Sequence, residues 1–352
     1  MRYIVAMDSF KGSLTSEEAG KAVADNLKSH DEEAEIKVLS VSDGGEGMLD
    51  AFCKATHATR LSVLTRDALM RRIEAQYAIT PDGTAIIEVA QACGLMHIEH
   101  EQRNPMRTTS YGVGLLVADA LRHNCHKMII GLGGSATSDA GIGMLRALID
   151  TFAPEDHFNA IRPLFDNCEV VLASDVTNPL YGINGAAHVF AKQKGATPSM
   201  IEALDARAKQ FALHTKRAMG FDKSMQPGAG AAGGLGYAFM QFLNAKMQSG
   251  AELLLHLLQF DKLLAHADIV ITGEGKSDCQ TLMGKLPAVI MQHARQHHLP
   301  TLLLSGQIED RDSLITAGFK AACAVKPSNM PLEEAMIPEK AKANIRDFPL
   351  PI

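Results

Sequence analysis

The feature that most narrows the fold is a set of short β-branched runs, several of them apolar almost from end to end. The six runs, Tyr3–Met7, Ile36–Val41, Met128–Ile130, Ile269–Thr272, Thr301–Leu304 and Ala321–Val325, stop at glycine, serine, proline or an acidic residue. A strand with one wet face alternates apolar and polar residues. A strand that does not alternate is covered on both faces, as in a parallel sheet with helices above and below. The segments that follow carry helical periodicity. Thr15 and Glu18 form a capping-box pattern ahead of Ala19, Ala22, Val23 and Leu27 on one face. Similar stripes run through Met48, Leu49, Phe52 and Cys53, and through Met144, Leu145, Leu148 and Phe152.

Alternating strand and helix predicts an α/β fold with a Rossmann-like, doubly wound parallel sheet. Two regions break the rhythm. Ala75–Ile79 and Thr84–Val89 flank the turn Pro81-Asp82-Gly83 and read as a hairpin. Residues 169–197 hold one strand, Glu169–Ala173, then a loop rich in asparagine, proline and glycine. A second, inserted α/β domain is therefore expected. Residues 1–61, 112–157 and 245–352 are assigned to the first domain, and 62–111 and 158–244 to the second. The tail from Pro331 reads as a terminal helix plus coil.

Composition removes several classes. The 352 residues are 46% hydrophobic and 21% charged, ordinary for a globular chain and unlike a disordered one. A net charge of −6 disfavours general nucleic-acid binding, which depends on neutralising phosphates. No apolar run approaches the roughly 18–20 residues that span a bilayer. Asp8 and Lys11 stand where a signal peptide would be apolar. The six cysteines are widely spaced and lack the paired spacing of zinc sites or disulfide scaffolds, so reduced thiols and a cytoplasmic location are expected. The close pairs His97/His100 and His123/His126 read as surface residues rather than metal ligands.

Chemistry concentrates in glycine clusters. Asp8-Ser9-Phe10-Lys11-Gly12-Ser13 follows the first strand, where open parallel sheets bind ligands and a lysine offers positive charge. A strand–helix turn with a solvated lysine is the plain alternative. Ser42-Asp43-Gly44-Gly45-Glu46-Gly47 sets two acids among glycines. Asp43 and Glu46 suit a substrate hydroxyl or Mg²⁺, or simply an acidic helix start. Gly131 to Gly141 contains the G-x-G-x-x-A pattern at Gly131, Gly133 and Ala136, with Gly134 and Ser135 between. The pattern supports anion binding at a helix start more securely than a dinucleotide. Gly228, Gly230 and Gly233 repeat the spacing with no strand before them, so they form an anion-wrapping loop or a structural turn. In Gly273-Glu274-Gly275-Lys276-Ser277-Asp278, followed by Lys285, an acid stands between two cations. Phosphoryl transfer needs that combination, and an exposed salt-bridged loop would also contain it. Asp175 and Asn178 follow another strand, either facing a cleft or capping a turn.

Six of these segments in order, DSFKGS, DGGEG, GLGGSATSDAGIG, SDVTNPL, PGAGAAGGLG and GEGKSDCQTLMGKLP, resemble the glycerate kinase family between residues 8 and 287. The resemblance implies two α/β domains with a cleft between them. It also implies phosphorylation of D-glycerate by ATP with Mg²⁺, most often to 2-phosphoglycerate and in some relatives to 3-phosphoglycerate. The chain departs from the family at Ser138, Ala140, Lys276 and Cys279, where asparagine, glycine, arginine and serine are common. No acid is lost.

On this basis Lys11 is expected to hold an anionic group, and Asp278, or secondarily Asp175, to orient the attacking hydroxyl. Asp8, Asp43, Glu46, Ser135 and Lys276 are candidate glycerate contacts, with Asp43 and Glu46 also candidates for Mg²⁺. Gly133, Gly134, Ser135, Gly228, Gly230, Gly233, Gly275 and Lys285 are candidates for ATP. The loops 131–137 and 228–236 take carboxylate or phosphates, and the sequence does not say which takes which. The expected partner is D-glycerate, with no nucleic acid and no membrane; a homodimer is compatible. A nicotinamide-dependent oxidoreductase and a non-catalytic carboxylate sensor are the competing classes. Asp150, at the spacing a dinucleotide site wants, falls near a helix end.

Overall fold

A computed structural model describes residues 1–42, 45, 47–153 and 161–351. Among them are eleven strands: β1 (Arg2–Met7), β2 (Glu35–Val38), β3 (Thr59–Arg66), β4 (Arg72–Ile79), β5 (Thr84–Glu88), β6 (Lys127–Gly131), β7 (Glu169–Ala173), β8 (Lys246–Gln248), β9 (Ile269–Ser277), β10 (Thr301–Ile308) and β11 (Ala321–Ala324). The chain divides into two units, Met1–Asp43 with Ala251–Ile352, and Gly44–Gly250.

The first unit holds a sheet ordered β11-β10-β9-β1-β2, parallel throughout. β1 lies between its two partners, with Tyr3 opposite Ile36 on β2 and Ile269 on β9. Val5, Ala6, Met7, Ile271 and Leu302 to Leu304 have no exposed surface, which is why these runs show no alternation. Helix Ser16–His30 carries the chain from β1 to β2, and helix Leu286–Gln296 from β9 to β10. From β1 the order runs outward one way, and from β9 it runs outward the other way. The reversal leaves a crevice beyond the carboxyl ends of β1 and β9, where open α/β sheets bind ligands.

Helix Ser16–His30 starts with the expected capping box. The Glu18 amide donates to Thr15 Oγ1, and Glu18 Oε2 accepts from the Thr15 amide. The same helix anchors the C-terminal segment. Asn26, with no exposed surface, donates from Nδ2 to the carbonyls of Ile345 (3.0 Å) and Phe348 (2.7 Å). Lys342 pairs with Glu18 at 2.8 Å. Its hydrogen bond, followed by that of the Thr15 amide, holds the Glu18 carboxyl down at about 2.

The second unit holds a sheet ordered β3-β4-β5-β6-β7-β8. The β3–β4 and β4–β5 pairs are antiparallel, including the expected hairpin; the rest are parallel. Its core gathers Ile87, Ile130, Leu172, Tyr237 and Phe239.

The division differs from the expected crossings near 62, 112, 158 and 245. Residues 44–250 form one continuous insertion, and the 112–157 stretch supplies β6 to the second sheet. A buried parallel strand followed by glycines looks the same in either sheet. Only the pairing of Ile87 with Ile130 and of Ile130 with Leu172 assigns β6 to the second.

Candidate active site

At the carboxyl ends of β1, β9, β10 and β11, the first unit contains a cavity of about 440 Å³. One wall is the turn after β1. The Asp8 amide donates to the Gly273 carbonyl (2.8 Å), tying the turn to β9, and the buried Asp8 carboxylate accepts from the Ser9 amide (2.7 Å). Phe10 and Leu14 then close a tight loop that carries Lys11 and Ser13 into the lining. Ser13 Oγ is buried there with no hydrogen-bond partner among the described residues.

The second wall is the end of β9 and the turn beyond it. Glu274 is buried; its Oε1 accepts from Ser277 Oγ (3.0 Å) and Thr281 Oγ1 (2.7 Å), and its Oε2 faces Lys285 Nζ at 3.7 Å. Asp278 caps the short 3₁₀ turn Cys279–Leu282, with Oδ1 accepting from the Gln280 amide (2.8 Å). Lys276 makes an exposed pair with Glu309 (2.9 Å), and the hydrogen bond to that carboxylate raises its pKa. The expected acid between two cations is therefore present, but each cation has its own carboxylate. Gly306 brings β10 in close, since a Cβ there would sit 2.5 Å from the Gly275 carbonyl.

The third wall went unseen in the sequence. Val325 and Lys326 come from the end of β11, and Leu332, Ala335 and Met336 from the C-terminal segment. Lys326 Nζ donates to the carbonyls of Met330 (2.8 Å) and Pro327 (3.2 Å), with no carboxylate in ion-pair range among the described residues. The cavity thus combines Lys11, Lys276, Lys285 and Lys326, the acids Asp8, Glu274 and Asp278, and the apolar Val325, Leu332, Ala335 and Met336. Cations for a phosphoryl group and an acid for a hydroxyl are what kinase chemistry requires.

Of the sequence-predicted residues, Asp8, Lys11, Gly275, Lys276, Asp278 and Lys285 line this cavity. Asp43 and Glu46 lie outside the described residues. Asp175, Ser135 and the glycines at 133, 134, 228, 230 and 233 belong to the second unit and are not in the lining.

In that unit Gly133, Gly230 and Gly233 allow close backbone approach. A Cβ at Gly230 would sit 2.3 Å from the Pro179 carbonyl, and one at Gly233, where φ is +66°, 1.9 Å from the Thr137 carbonyl. Gly133 is equally tight against Gly45. Asp139, inside the dinucleotide-like run, accepts from the Ser110 amide and hydroxyl and from the amides of Gly141 and Gly143. It is a structural staple between two helix starts. Behind the turn, the buried Lys194 donates to Ser135 Oγ (3.1 Å) and the Thr137 carbonyl (2.7 Å). Burial pushes its pKa down to about 8, while Cys93 and Asp139 pull the other way. No sequence signal marked this lysine.

All six thiols are unpaired, and no described helix is long and apolar enough to cross a membrane. Among the described residues no cluster of three metal-ligating side chains occurs.

Comparison with known proteins agrees with this chemistry. Residues 3–349 match the model of the glycerate kinase family. A glycerate kinase of Halalkalibacterium halodurans is 36% identical, covering 95% of this chain and 93% of that protein. A glycerate 2-kinase of Escherichia coli K12 is 36% identical with the same coverages. The crystal structure of a protein assigned as glycerate kinase 2 from Salmonella typhimurium LT2 superposes with a TM-score of 0.78 at 34% identity, covering 98% of this chain and 95% of that one. With the match running nearly end to end, the chain belongs to the glycerate kinase family and is a phosphotransferase.

Proposed function

We propose that the protein transfers the γ-phosphoryl group of ATP to the 2-hydroxyl of D-glycerate, giving 2-phospho-D-glycerate and ADP. The observation that carries this reading is the gathering of Lys11, from the turn after β1, with Asp278 and Lys285, from the turn after β9, around one cavity at the reversal point of a parallel sheet. The name of the Escherichia coli relative supports the choice of hydroxyl.

The lysines bind the phosphate oxygens and stabilise charge on the transferring group, which is most of the catalysis in this reaction class. Asp278 orients the attacking hydroxyl. Its Oδ1 is fixed by the Gln280 amide, leaving Oδ2 to accept the hydroxyl proton. The new bond is glycerate oxygen to phosphorus; the bond that breaks joins phosphorus to the bridging oxygen of ADP, which leaves with the electron pair. Glu274, locked by Ser277 and Thr281, positions Lys285. Mg²⁺ would ride with ATP and neutralise phosphate charge, held through one or two carboxylates, for which Asp8 and Asp278 are the described candidates. The six unpaired thiols suit a cytoplasmic enzyme.

Incubation with ATP, Mg²⁺ and D-glycerate, followed by phosphorus NMR, tests the reaction and its regiochemistry together. A 3-phosphoglycerate signal would refute the choice of hydroxyl, and no phosphoglycerate would refute the reaction. Asp278→Asn should lower kcat by about 10²–10⁴, the range for a positioned acid–base group. Turnover within a few-fold of wild type would remove Asp278 from the role.

A further inference from the structure

We propose that the first-unit cavity is the nucleotide pocket and that the C-terminal segment forms its base-binding wall, with Leu332 and Met336 against the purine. The inference rests on the reading that ATP is the phosphoryl donor.

Size is the first argument. D-Glycerate has three carbons and four oxygens, far too few atoms to fill 440 Å³. Pockets of roughly 300–1,000 Å³ enclose ligands the size of a nucleotide. Polarity is the second. Val325, Leu332, Ala335 and Met336 give the cavity an apolar face, and Leu332 and Met336 remain 52% and 40% exposed there. Such a face gains nothing from a small hydroxy acid, every carbon of which carries oxygen. A flat heteroaromatic ring covers it well, and methionine adapts to such rings. The same lining carries Lys11 and Lys285, cations that receive phosphate oxygens. The wall is also preformed. Asn26 and the Lys342–Glu18 pair fasten the following helix, Pro338–Arg346, to helix Ser16–His30. A wall fixed before binding costs little ordering entropy when the ligand arrives.

The test is calorimetric titration of the whole enzyme with ADP, without glycerate, for wild type, Met336→Asp, Leu332→Asp and Met336→Leu. Both aspartate variants should bind ADP about tenfold or more weakly, some 1.4 kcal/mol or greater. Met336→Leu should stay near wild type. Inorganic tripolyphosphate, which has no base, should bind Met336→Leu like wild type and lose less affinity than ADP in the aspartate variants, where only charge repulsion acts on it. In turnover, the aspartate variants should raise the KM for ATP and leave that for glycerate unchanged. ADP affinity indifferent to both aspartates, or tripolyphosphate binding that falls in parallel, would overturn the assignment. The two proposals fail separately. Met336-dependent ADP binding without glycerate phosphorylation sinks the proposed reaction alone; phosphorylation with ADP binding indifferent to the wall sinks this inference alone.

Discussion

Lys194 gives the folded protein a calculable pH dependence. In an unfolded chain its ammonium loses a proton near 10.5; in the fold, burial brings that down to about 8. Between those values the unfolded chain holds a proton that the folded one lacks. Stability therefore declines as pH falls from 10.5 towards 8 and levels off below. A gap of about 2.5 at ~1.36 kcal/mol for each pKa unit amounts to about 3 kcal/mol. About 2 kcal/mol of it falls between about pH 7.5 and about pH 10. Lys194→Met keeps the chain length and abolishes the titration. It also strands Ser135 Oγ and the Thr137 carbonyl, a cost of about 1–3 kcal/mol each that does not vary with pH. The assay is urea unfolding of both proteins at those two pH values. Taking the difference between them cancels the tyrosines and thiols that also titrate there. Wild type should gain about 2 kcal/mol over the variant on going to the higher pH. A difference equal at both pH values would show that Lys194 titrates as a free lysine, and the argument from burial would fall.

Two other substitutions probe the scaffold. Gly233→Ala places a Cβ 1.9 Å from the Thr137 carbonyl at a φ of +66°, so a loss of at least about 3 kcal/mol is expected; a thermal midpoint within a few degrees of wild type would contradict that contact. Asn26→Ala removes both donors to the Ile345 and Phe348 carbonyls, which should cost about 2–3 kcal/mol and expose the C-terminal segment to limited proteolysis. A tail as resistant as wild type's would show that Asn26 does not anchor it.

The sequence carried the strands and the first-unit acids and lysines because both leave local signatures. An unbroken apolar run is buried on two faces wherever it pairs, and Lys11 and Asp278 follow such runs within a few residues. What it hid is set by contacts distant along the chain. Lys194 sits between Gln193 and Gly195, a context that looks like a surface turn; its burial depends on loop 131–137 folding over it. Leu332 and Met336 lie in a mixed polar tail, and nothing local says that this tail closes over the strand ends. Gly230 and Gly233 reveal that something must come close. The pattern is the same whether that something is an anion or, as here, the backbone at Pro179 and Thr137.

The placement of β1 between β2 and β9 has a consequence for biosynthesis. Tyr3 meets Ile269, a partner 266 residues downstream. At roughly 5–20 residues per second, a ribosome takes roughly 13–53 s to cover that distance. During that interval one edge of the nascent strand has no mate, while everything needed for the other sheet, through Gln248, has already been synthesised. The middle of the polypeptide is thus free to mature first, and the amino terminus must be kept from sticking to itself or to neighbours until its late-arriving companion emerges.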